Sequence, residues 1–583
     1  MEVSITEEVA PLIAERSSVI EGVVNYNGEK VINRSKYGGW KSASFIIGVE
    51  IAERFAYYGI ACNLITYLTG PLHQSTAVAA ENINIWSGFC SMLPLLGAFV
   101  ADSVVGRFRT ILVSSLLYVL GLGLLTLSAI LPSLRPPDCK TTQESDTPCA
   151  SPTALQITFF FSSLYLVAIA QGGHKPCVQA FGADQFDERH PQECKSKSSF
   201  FNWWYFGLCG GTAISLLIVT YIQENLSWAL GFGIPCISMA IALIVFLLGT
   251  KTYRYSYLED KKNPILRISQ VLVASAKNWR ANIPSVDSSK DEEESEKTSS
   301  RVGAHQFKFL DKALILVPVD GSRCEDQIVC TISQVEDTKV VLRLVPVWAT
   351  CLIYAVVFAQ SSTFFTKQGS TMDRSIGASF QIPAATLQVV ISISIVILIP
   401  FYDRVFVPVA RSLTGKPSGI TMLQRIGSGL FLSIISMVLA AIVEKKRIQT
   451  ALDFGLIDNP KATIPMSVWW LAPQYIFFGL SDVFTMIGLQ EFFYDQVPDG
   501  LRSVGLSFYL SIFGVGSFLS SFLISIIEKI TSAGGNQESW FSNNLNRAHL
   551  DYFYWLLAGL SGLELAIYIY FSKYYLYKKA ASL

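Results

Sequence analysis

The sequence GVEIAERFAYYG, residues 48–59, lies within an apolar run of residues 43–68. It carries Glu50, Glu53 and Arg54 where a membrane-spanning helix should hold almost no charge, because one charge at the centre of a span costs about 2.5–3.5 kcal/mol. Helical spacing puts the three side chains on one face and brings Glu50 within bonding reach of Arg54. We expect this face to line the interior of a helix bundle or a wet cavity.

Two interpretations fit this charged face. A structural ion pair would lock two neighbouring helices, and a single acid beside a single arginine would favour that reading. Two carboxylates around one arginine leave an acid that can take up a proton, which favours a role in proton binding. Tyr57 and Tyr58 continue the polar edge by a further turn.

The composition indicates a protein that lies in lipid. Of its 583 residues, 51% are hydrophobic and only 15% are charged, against roughly 25% charged in soluble domains. The 45 Lys and Arg residues balance the 45 Asp and Glu residues, so bulk charge predicts no nucleic-acid partner. The eleven cysteines show no metal-binding spacing, and no nucleophile with a neighbouring base points to an enzyme.

Apolar stretches long enough to cross a bilayer, about 20 residues each, recur along the chain. Six precede and six follow a polar interruption, which predicts an all-α membrane protein with twelve transmembrane helices in two six-helix bundles. The predicted spans are residues 43–68, 82–101, 110–131, 154–180, 200–222, 228–249, 341–365, 377–401, 419–443, 466–493, 504–527 and 551–573.

The interruption contains SSKDEEESEKTSS, a charged run without apolar periodicity that is typical of a solvated linker. The nearby stretch NPILRISQVLVASAKNW has helical apolar spacing with basic residues, which fits a helix lying along the membrane surface. We therefore divide the chain into a cytosolic N-terminal segment (1–42), a first bundle (43–249), a cytosolic linker (250–339), a second bundle (340–574) and a cytosolic tail (575–583).

Charges that flank the first span give the predicted orientation. Four basic residues precede this span, and only His73 follows it closely, so the preceding segment is predicted to be cytosolic. An even number of spans then puts both termini and the linker in the cytosol. The basic residues 445–447 fall on the predicted outer side and do not fit this rule.

Two cytosolic turns repeat one pattern in the two halves. GAFVADSVVGRFRT follows the second span and PFYDRVFVPVARSLTGKP follows the eighth, and each places an acid near basic residues. Either turn alone would pass for ordinary loop charges, whereas both in corresponding places favour a repeat of six plus six spans with a conformational latch. The candidate latch residues are Asp102, Arg107, Arg109, Asp403, Arg404 and Arg411.

Cys139 and Cys149 share a polar loop, PPDCKTTQESDTPC, on the predicted non-cytosolic side. A local disulfide is one interpretation of this pair, and two free thiols are the other.

Together the motifs resemble the nitrate and peptide transporter family of plants, also called proton-dependent oligopeptide transporters, within the major facilitator superfamily. The resemblance extends over residues 37–575. It implies a major facilitator fold and a carrier that uses protons as the coupling ion, with no cofactor and no metal. Its motifs are the Glu-x-x-Glu-Arg run at residues 50–54, the turn at 102–109, FGADQFD at 181–187, FFNWWYFGLCGG from Phe200 and LQEFFYDQVPDGLRSVGLS from Leu489.

The resemblance assigns roles in proton coupling. Glu50 and Glu53 match the family's coupling glutamates, Arg54 is their partner, and Lys175 matches the lysine of the same network. Lys175 also lies well inside an apolar helix, so it needs an anionic partner or an anionic ligand.

The resemblance also implies substrate contacts. Asp482 is at the position of a family glutamate that receives a peptide's amino group, and it is shorter by one methylene. Phe358 is at the position where one member has a nitrate-binding histidine. The candidate substrate-binding residues are Arg54, Tyr57, Tyr58, Lys175, Phe358 and Asp482.

Two further sites concern regulation and location. Thr110 matches a threonine that is phosphorylated in some relatives, so a kinase that acts on Thr110 or on the linker is a candidate partner. Glu8, Leu12 and Ile13 form an acidic dileucine pattern of the kind that directs plant membrane proteins to the vacuole. This pattern favours the vacuolar membrane over the plasma membrane.

The sequence therefore predicts a proton-coupled secondary-active symporter of a small solute that works by alternating access. The short reach of Asp482 and the narrowing of the family's pocket by Phe358 favour a small anion, nitrate first, exported from the vacuole to the cytosol. A di- or tripeptide carrier, with the amine of the peptide near Asp482, is the alternative. A membrane receptor that senses the solute is a third interpretation.

Overall fold

The computed structural model describes residues 20, 22–34, 36–135, 151–187, 190–256, 264–279, 307–314, 330–377, 380–414, 420–497, 502–532 and 539–575. Within these residues, ten helices are long and apolar enough to cross a membrane, and one helix pair bent by 49° forms an eleventh candidate span. A further helix of 23 residues occupies the first predicted span and carries the charged face. At 1.5 Å per residue it is about 34 Å long, which is enough to cross a bilayer.

We number these spans 1 to 12 in chain order. They are Gly39–Ala61, Thr76–Val100, Arg107–Ile130, Ala154–Ala183, Ser199–Asn225, Trp228–Leu248, Ile332–Ala349 with Leu352–Ser370, Ala384–Leu413, Met422–Asp453, Val468–Asp495, Val504–Ser532 and Leu550–Tyr574. Shorter helices are Leu64–Thr69, Pro264–Lys277 and Lys308–Leu314. Three two-stranded sheets pair Val23–Val24 with Tyr255–Ser256, Met372–Asp373 with Ile464–Ser467, and Ser375–Ile376 with Phe380–Gln381.

Side-chain caps set several span boundaries. The Ser75 hydroxyl accepts a hydrogen bond from the Val78 N–H, so span 2 begins at Thr76 and the predicted start at residue 82 was wrong. Thr153 and Gln156 form a reciprocal capping box, and span 4 begins at residue 154 as predicted.

A side chain from span 5 explains why span 1 ends early. Gln223 donates to the Gly59 carbonyl at 2.6 Å and accepts from the Asn63 amide at 3.2 Å. Both side chains are buried, and the helix stops at Ala61 before a separate helix, Leu64–Thr69. The prediction of one continuous helix to residue 68 was wrong.

Span 9 continues ten residues beyond its predicted end at 443 because its outer extension is packed against protein. Arg447, fully buried, pairs with Glu444 at 2.7 Å and donates to the Asn546 side chain at 2.9 Å. The Lys446 ammonium lies 3.3 Å from the centre of the Trp470 ring. Two of the three basic residues that conflicted with the predicted orientation therefore have partners within the protein.

Span 8 begins later than predicted, at residue 384 and not at 377, since a short hairpin precedes it. The hairpin turns at Gly377, which has a φ of 66°. This left-handed conformation favours glycine. The residues on either side of the turn are paired as strands, so the helix cannot begin at residue 377.

Helix packing is dense within each half of the chain. Span 3 packs on span 4, spans 5 and 6 pack on span 1, and span 9 packs on spans 10 and 12. Spans 2 and 11 pack across the halves, where Gly88 and Gly514 permit close approach: a Cβ at Gly88 would lie 2.6 Å from the Phe518 ring.

Within the linker, a helix spans Pro264–Lys277, where the apolar spacing predicted one. It packs against Lys308–Leu314 and against the start of span 7, where Lys339 lies 2.7 Å from Asp311. Its location along a membrane surface stays a prediction, and the charged run SSKDEEESEKTSS lies outside the described residues.

Candidate transport site

The charged face of span 1 forms a buried cluster in the first half. Arg54 lies between the two acids, with its Nε 3.0 Å from Glu50 Oε1 and one terminal nitrogen 2.6 Å from Glu53 Oε2. All three residues are at most 3% exposed. The Tyr118 hydroxyl of span 3 donates to Glu53 at 3.4 Å. One guanidinium therefore serves two carboxylates, and its contact with Glu50 is the one that helical spacing predicts.

Span 4 brings a second cation to this cluster. Lys175 is half-buried and interacts electrostatically with Glu50, Glu53 and Arg54. No ion pair within 4.0 Å involves its ammonium among the residues that the structure describes. The site thus holds a cation that is close to the carboxylates without being paired to them.

His174 belongs to the same region and was missed from the sequence. It is fully buried, its ring packs edge-on against Tyr118 at 6.2 Å, and neither ring nitrogen has a hydrogen-bond partner in the described part of the chain. In the sequence, only its position next to Lys175 indicated that His174 belongs to the site. A single histidine in an apolar helix is otherwise typical of a core residue.

Tyrosines of span 1 form an aromatic wall beside the cluster. Tyr57 stacks on Trp86 with ring centres 5.6 Å apart, and Arg54 lies 5.9 Å from the Tyr57 ring. Tyr58 meets Tyr57 edge-on at 5.2 Å. This wall limits the freedom of the arginine.

In the second half, Asp482 and Phe358 have partners within their own half. Asp482 is 5% exposed and accepts a hydrogen bond of 2.5 Å from the Tyr354 hydroxyl of span 7. Phe358, one turn further along span 7, packs against Phe478 at 5.9 Å and Phe513 at 5.2 Å. It therefore belongs to an aromatic cluster formed by spans 7, 10 and 11.

Contacts between the halves close the outer end, which is the end predicted to face away from the cytosol. Arg374 pairs with Glu224 at 2.9 Å, and the rings of Tyr221 and Phe380 stack at 5.7 Å. Further polar contacts across this end are Lys367 to Thr69 at 3.0 Å, Thr220 to Thr386 at 3.0 Å and the Gln388 amide to the Cys62 carbonyl at 3.1 Å.

The predicted latch is only partly described. Arg107 pairs with Asp184 of the FGADQFD segment at 2.7 Å, an acid outside its own turn. Arg109, Arg404 and Arg411 are exposed. The side chains of Asp102 and Asp403 lie outside the described residues, so a latch that involves them stays a prediction.

Thr110, the candidate phosphorylation site, is 7% exposed, and its hydroxyl donates to the Gly106 carbonyl at 3.0 Å. A kinase could not reach this hydroxyl unless the segment opened. The sorting residues Glu8, Leu12 and Ile13 and the cysteines Cys139 and Cys149 lie outside the described residues. No group of three metal-binding side chains occurs in the described part of the chain.

Comparison with known proteins identifies the family. A family model described as "POT family" matches residues 108–541, which is well over half of the chain. The chain belongs to the POT family. Transporters of the POT family couple to protons and need no cofactor.

Curated relatives from Arabidopsis thaliana match almost the whole POT chain. "Protein NRT1/ PTR FAMILY 5.10" is 62% identical over 556 residues, which is 95% of this chain and 96% of the relative. "Protein NRT1/ PTR FAMILY 5.12" is 55% identical over 564 residues, 96% of each chain. The resemblance proposed from the motifs is thereby confirmed.

Solved structures of POT transporters share the fold. An auto-inhibited POT family peptide transporter superposes with a TM-score of 0.70 at 22% identity, over 93% of this chain and 98% of the other. The POT family transporter PepTSo gives 0.67 at 21% identity, over 92% and 98%. These neighbours have the major facilitator fold, which confirms the predicted fold class.

Proposed function

We propose that this POT protein is a symporter that carries a small anion, nitrate in the first place, together with protons. The observation that supports the proposal most directly is the buried cluster in which Arg54 serves both Glu50 and Glu53. A purely structural ion pair would need only one acid and one base. Burial of a third charge has an additional free-energy cost that such a role does not explain.

Proton uptake gives this cluster two states. When one glutamate takes up a proton, Arg54 loses part of its pairing and can interact with an anion that enters the site. Lys175, a second cation that forms no ion pair within the described residues, would add to that attraction. Proton and anion would then favour the same conformation, which is the requirement for coupled transport.

The second half favours nitrate over a peptide. An amino group arriving at Asp482 would have to compete with the Tyr354 hydroxyl, which already donates to this carboxylate at 2.5 Å. Phe358 offers no charge to either substrate. A peptide carrier remains the alternative, since its amine could replace the tyrosine.

The test is uptake of labelled nitrate and of a labelled dipeptide into proteoliposomes of the same preparation, with and without an imposed pH gradient. We expect nitrate accumulation that depends on the gradient, and we expect it to survive in Asp482→Asn. The matched control is Asp453→Asn, the same change at the exposed outer end of span 9.

Two results would overturn the proposal. Dipeptide accumulation that Asp482→Asn abolishes, with no nitrate movement in either protein, would establish the peptide carrier. Binding of nitrate without accumulation of either solute, whatever the gradient, would establish a solute-sensing receptor.

We further propose export from the vacuole to the cytosol, since an acidic lumen would drive protons and nitrate outwards together. The proposal depends on the motif formed by Glu8, Leu12 and Ile13. A fluorescent fusion of the parent should label the vacuolar membrane. The same fusion of the double variant Leu12→Ala, Ile13→Ala should label the plasma membrane instead. An unchanged distribution of the double variant would remove the sorting claim.

A further inference from the structure

Span 7 is broken, and a side chain from span 12 meets the break. The helix that ends at Ala349 is followed, at an angle of 49°, by a helix that begins at Leu352. The first N–H groups of any helix lack acceptors within that helix. Glu564 supplies an acceptor here, because its Oε1 takes hydrogen bonds from the Ile353 N–H at 2.7 Å and from the Tyr354 N–H at 3.3 Å.

Glu564 is an unusual residue for its surroundings. It lies near the middle of span 12, is 5% exposed, and has no ion pair with Lys or Arg among the described residues. Burial of an acid without a cationic partner at that depth of the span costs free energy. A position that served only for packing would hold an apolar residue. The two N–H groups of the break offset part of this cost at Oε1, because hydrogen bonds to a carboxylate and the positive end of a helix both favour it.

The break also leads directly to Asp482. Glu564 accepts a hydrogen bond from the Tyr354 N–H. The Tyr354 side chain is fully buried, and its hydroxyl donates a hydrogen bond of 2.5 Å to Asp482. A single residue is thus fixed by span 12 at its backbone and bound to span 10 at its tip. Movement of the break would move the hydroxyl away from the carboxylate.

We propose that Glu564 is a positioning residue of the transport site, which holds the break in span 7 and thereby keeps the Tyr354 hydroxyl on Asp482. The inference rests on the proposed function and adds to it that the hydroxyl screens the Asp482 carboxylate from an incoming anion. The role requires a hydrogen-bond acceptor at residue 564 and not a titratable group. Glutamine should therefore replace the glutamate, whereas alanine should not.

The test compares Glu564→Ala, Glu564→Gln, Tyr354→Phe and the double variant Glu564→Ala, Tyr354→Phe in labelled nitrate uptake. We expect Glu564→Ala and Tyr354→Phe each to raise the KM for nitrate about tenfold, the size of a lost hydrogen bond to a charged group, with a smaller change in maximal rate. Since Glu564 acts through Tyr354, the double variant should match Tyr354→Phe alone. Glu564→Gln should stay within about twofold of the parent.

Ser561→Ala is the matched control, a small change one turn earlier on span 12 at a buried residue whose hydroxyl has no partner in the described part of the chain. It should behave as the parent. If Glu564→Ala does not fold, Glu564→Asp, which is one methylene too short to reach both N–H groups, takes its place with the same expectations.

Hydrogen exchange separates this inference from the proposed function. Exchange of the Ile353 and Tyr354 amides should accelerate in Glu564→Ala and stay slow in Tyr354→Phe, whether or not nitrate is the solute. Unchanged exchange in Glu564→Ala, additive effects of the two single variants on KM, or a Glu564→Gln variant as impaired as Glu564→Ala would overturn the inference. A parent that moves no nitrate, with the exchange pattern intact, would count only against the proposed substrate.

Discussion

Individual residues of the site differ in how far the sequence could predict their contacts. Glu50 and Arg54 are four residues apart on one helix, so local periodicity was enough to predict their contact. The hydrogen bond from Tyr354 to Asp482 joins residues 128 positions apart on two helices. No local pattern encodes such a contact, because it depends on how spans 7 and 10 pack.

Glu53→Gln tests proton coupling at the scale of one residue. Glu53 is fully buried and interacts with both Arg54 and Tyr118, and glutamine keeps its shape and part of its hydrogen bonding while it removes the titratable group. Accumulation driven by a pH gradient should fall at least tenfold, whereas exchange of labelled solute at equal concentrations should persist.

The control for this change is Glu491→Gln, the same substitution at a 46% exposed side chain that lies 3.4 Å from Arg425 on span 9. It should leave accumulation unchanged. Full accumulation in Glu53→Gln would exclude Glu53 from coupling.

At the scale of elements, the sequence predicted spans better than their ends. A stretch of about 20 apolar residues is itself the physical requirement for crossing a bilayer, so each span could be found from composition. The start of span 2 depended on Ser75, a cap that local reasoning could have found. The end of span 9 depended on Arg447 meeting Asn546, a contact over 99 positions that no local pattern contains.

A polar cluster joins four elements at the end of the first half that is predicted to face the cytosol. Glu193 lies in the helix Pro191–Ile214, which leads into span 5. It accepts from Arg254 at 2.6 Å and from the Asp187 N–H at 2.7 Å, and it lies 3.3 Å from Arg34. Arg254, 1% exposed, also donates to the Tyr37 carbonyl at 3.0 Å. The cluster therefore ties the N-terminal segment to the ends of spans 4, 5 and 6.

Glu193→Gln should weaken this cluster in a manner that depends on pH. Burial would raise the pKa of the Glu193 carboxyl, but the hydrogen bonds from Arg254 and Asp187 and the charge of Arg34 outweigh it and hold the pKa below 4.5. A lowered pKa means that the carboxylate stabilises the fold fully above pH 4.5 and less as pH falls through the pKa of the folded state. The variant should therefore lose about 3 kcal/mol near pH 7, since Arg254 is left uncompensated.

Thermal unfolding in detergent measures this loss. The difference in Tm between parent and Glu193→Gln should be constant from about pH 6 to 8 and should shrink below the ordinary Glu pKa of about 4.5. Asp458→Asn, which removes an exposed partner of Arg547, should change Tm little at any pH. A difference that grows on acidification would contradict the assignment.

For the whole molecule, the sequence predicted two halves but not the end at which they meet. Closure of the outer end depends on pairs such as Glu224 with Arg374, which are 150 positions apart and belong to different halves. A repeat in the sequence predicts that two bundles exist, and their relative tilt follows from contacts of this kind. An ion pair across the closed end should hold that end shut.

Arg374→Gln tests this closure, with Cys62 as the reporter. Cys62 is 2% exposed, and its carbonyl accepts from Gln388 across the closed end, so its thiol should react with an impermeant maleimide from the outer side only when that end opens. In a background that retains Cys62 as the sole cysteine, Arg374→Gln should speed labelling about fivefold, the effect of losing about 1 kcal/mol from a partly exposed pair. Arg547→Gln, which removes an ion pair confined to the second half, should leave the rate unchanged. Equal labelling rates in Arg374→Gln and the parent would mean that packing of the halves, and not this ion pair, keeps the outer end closed.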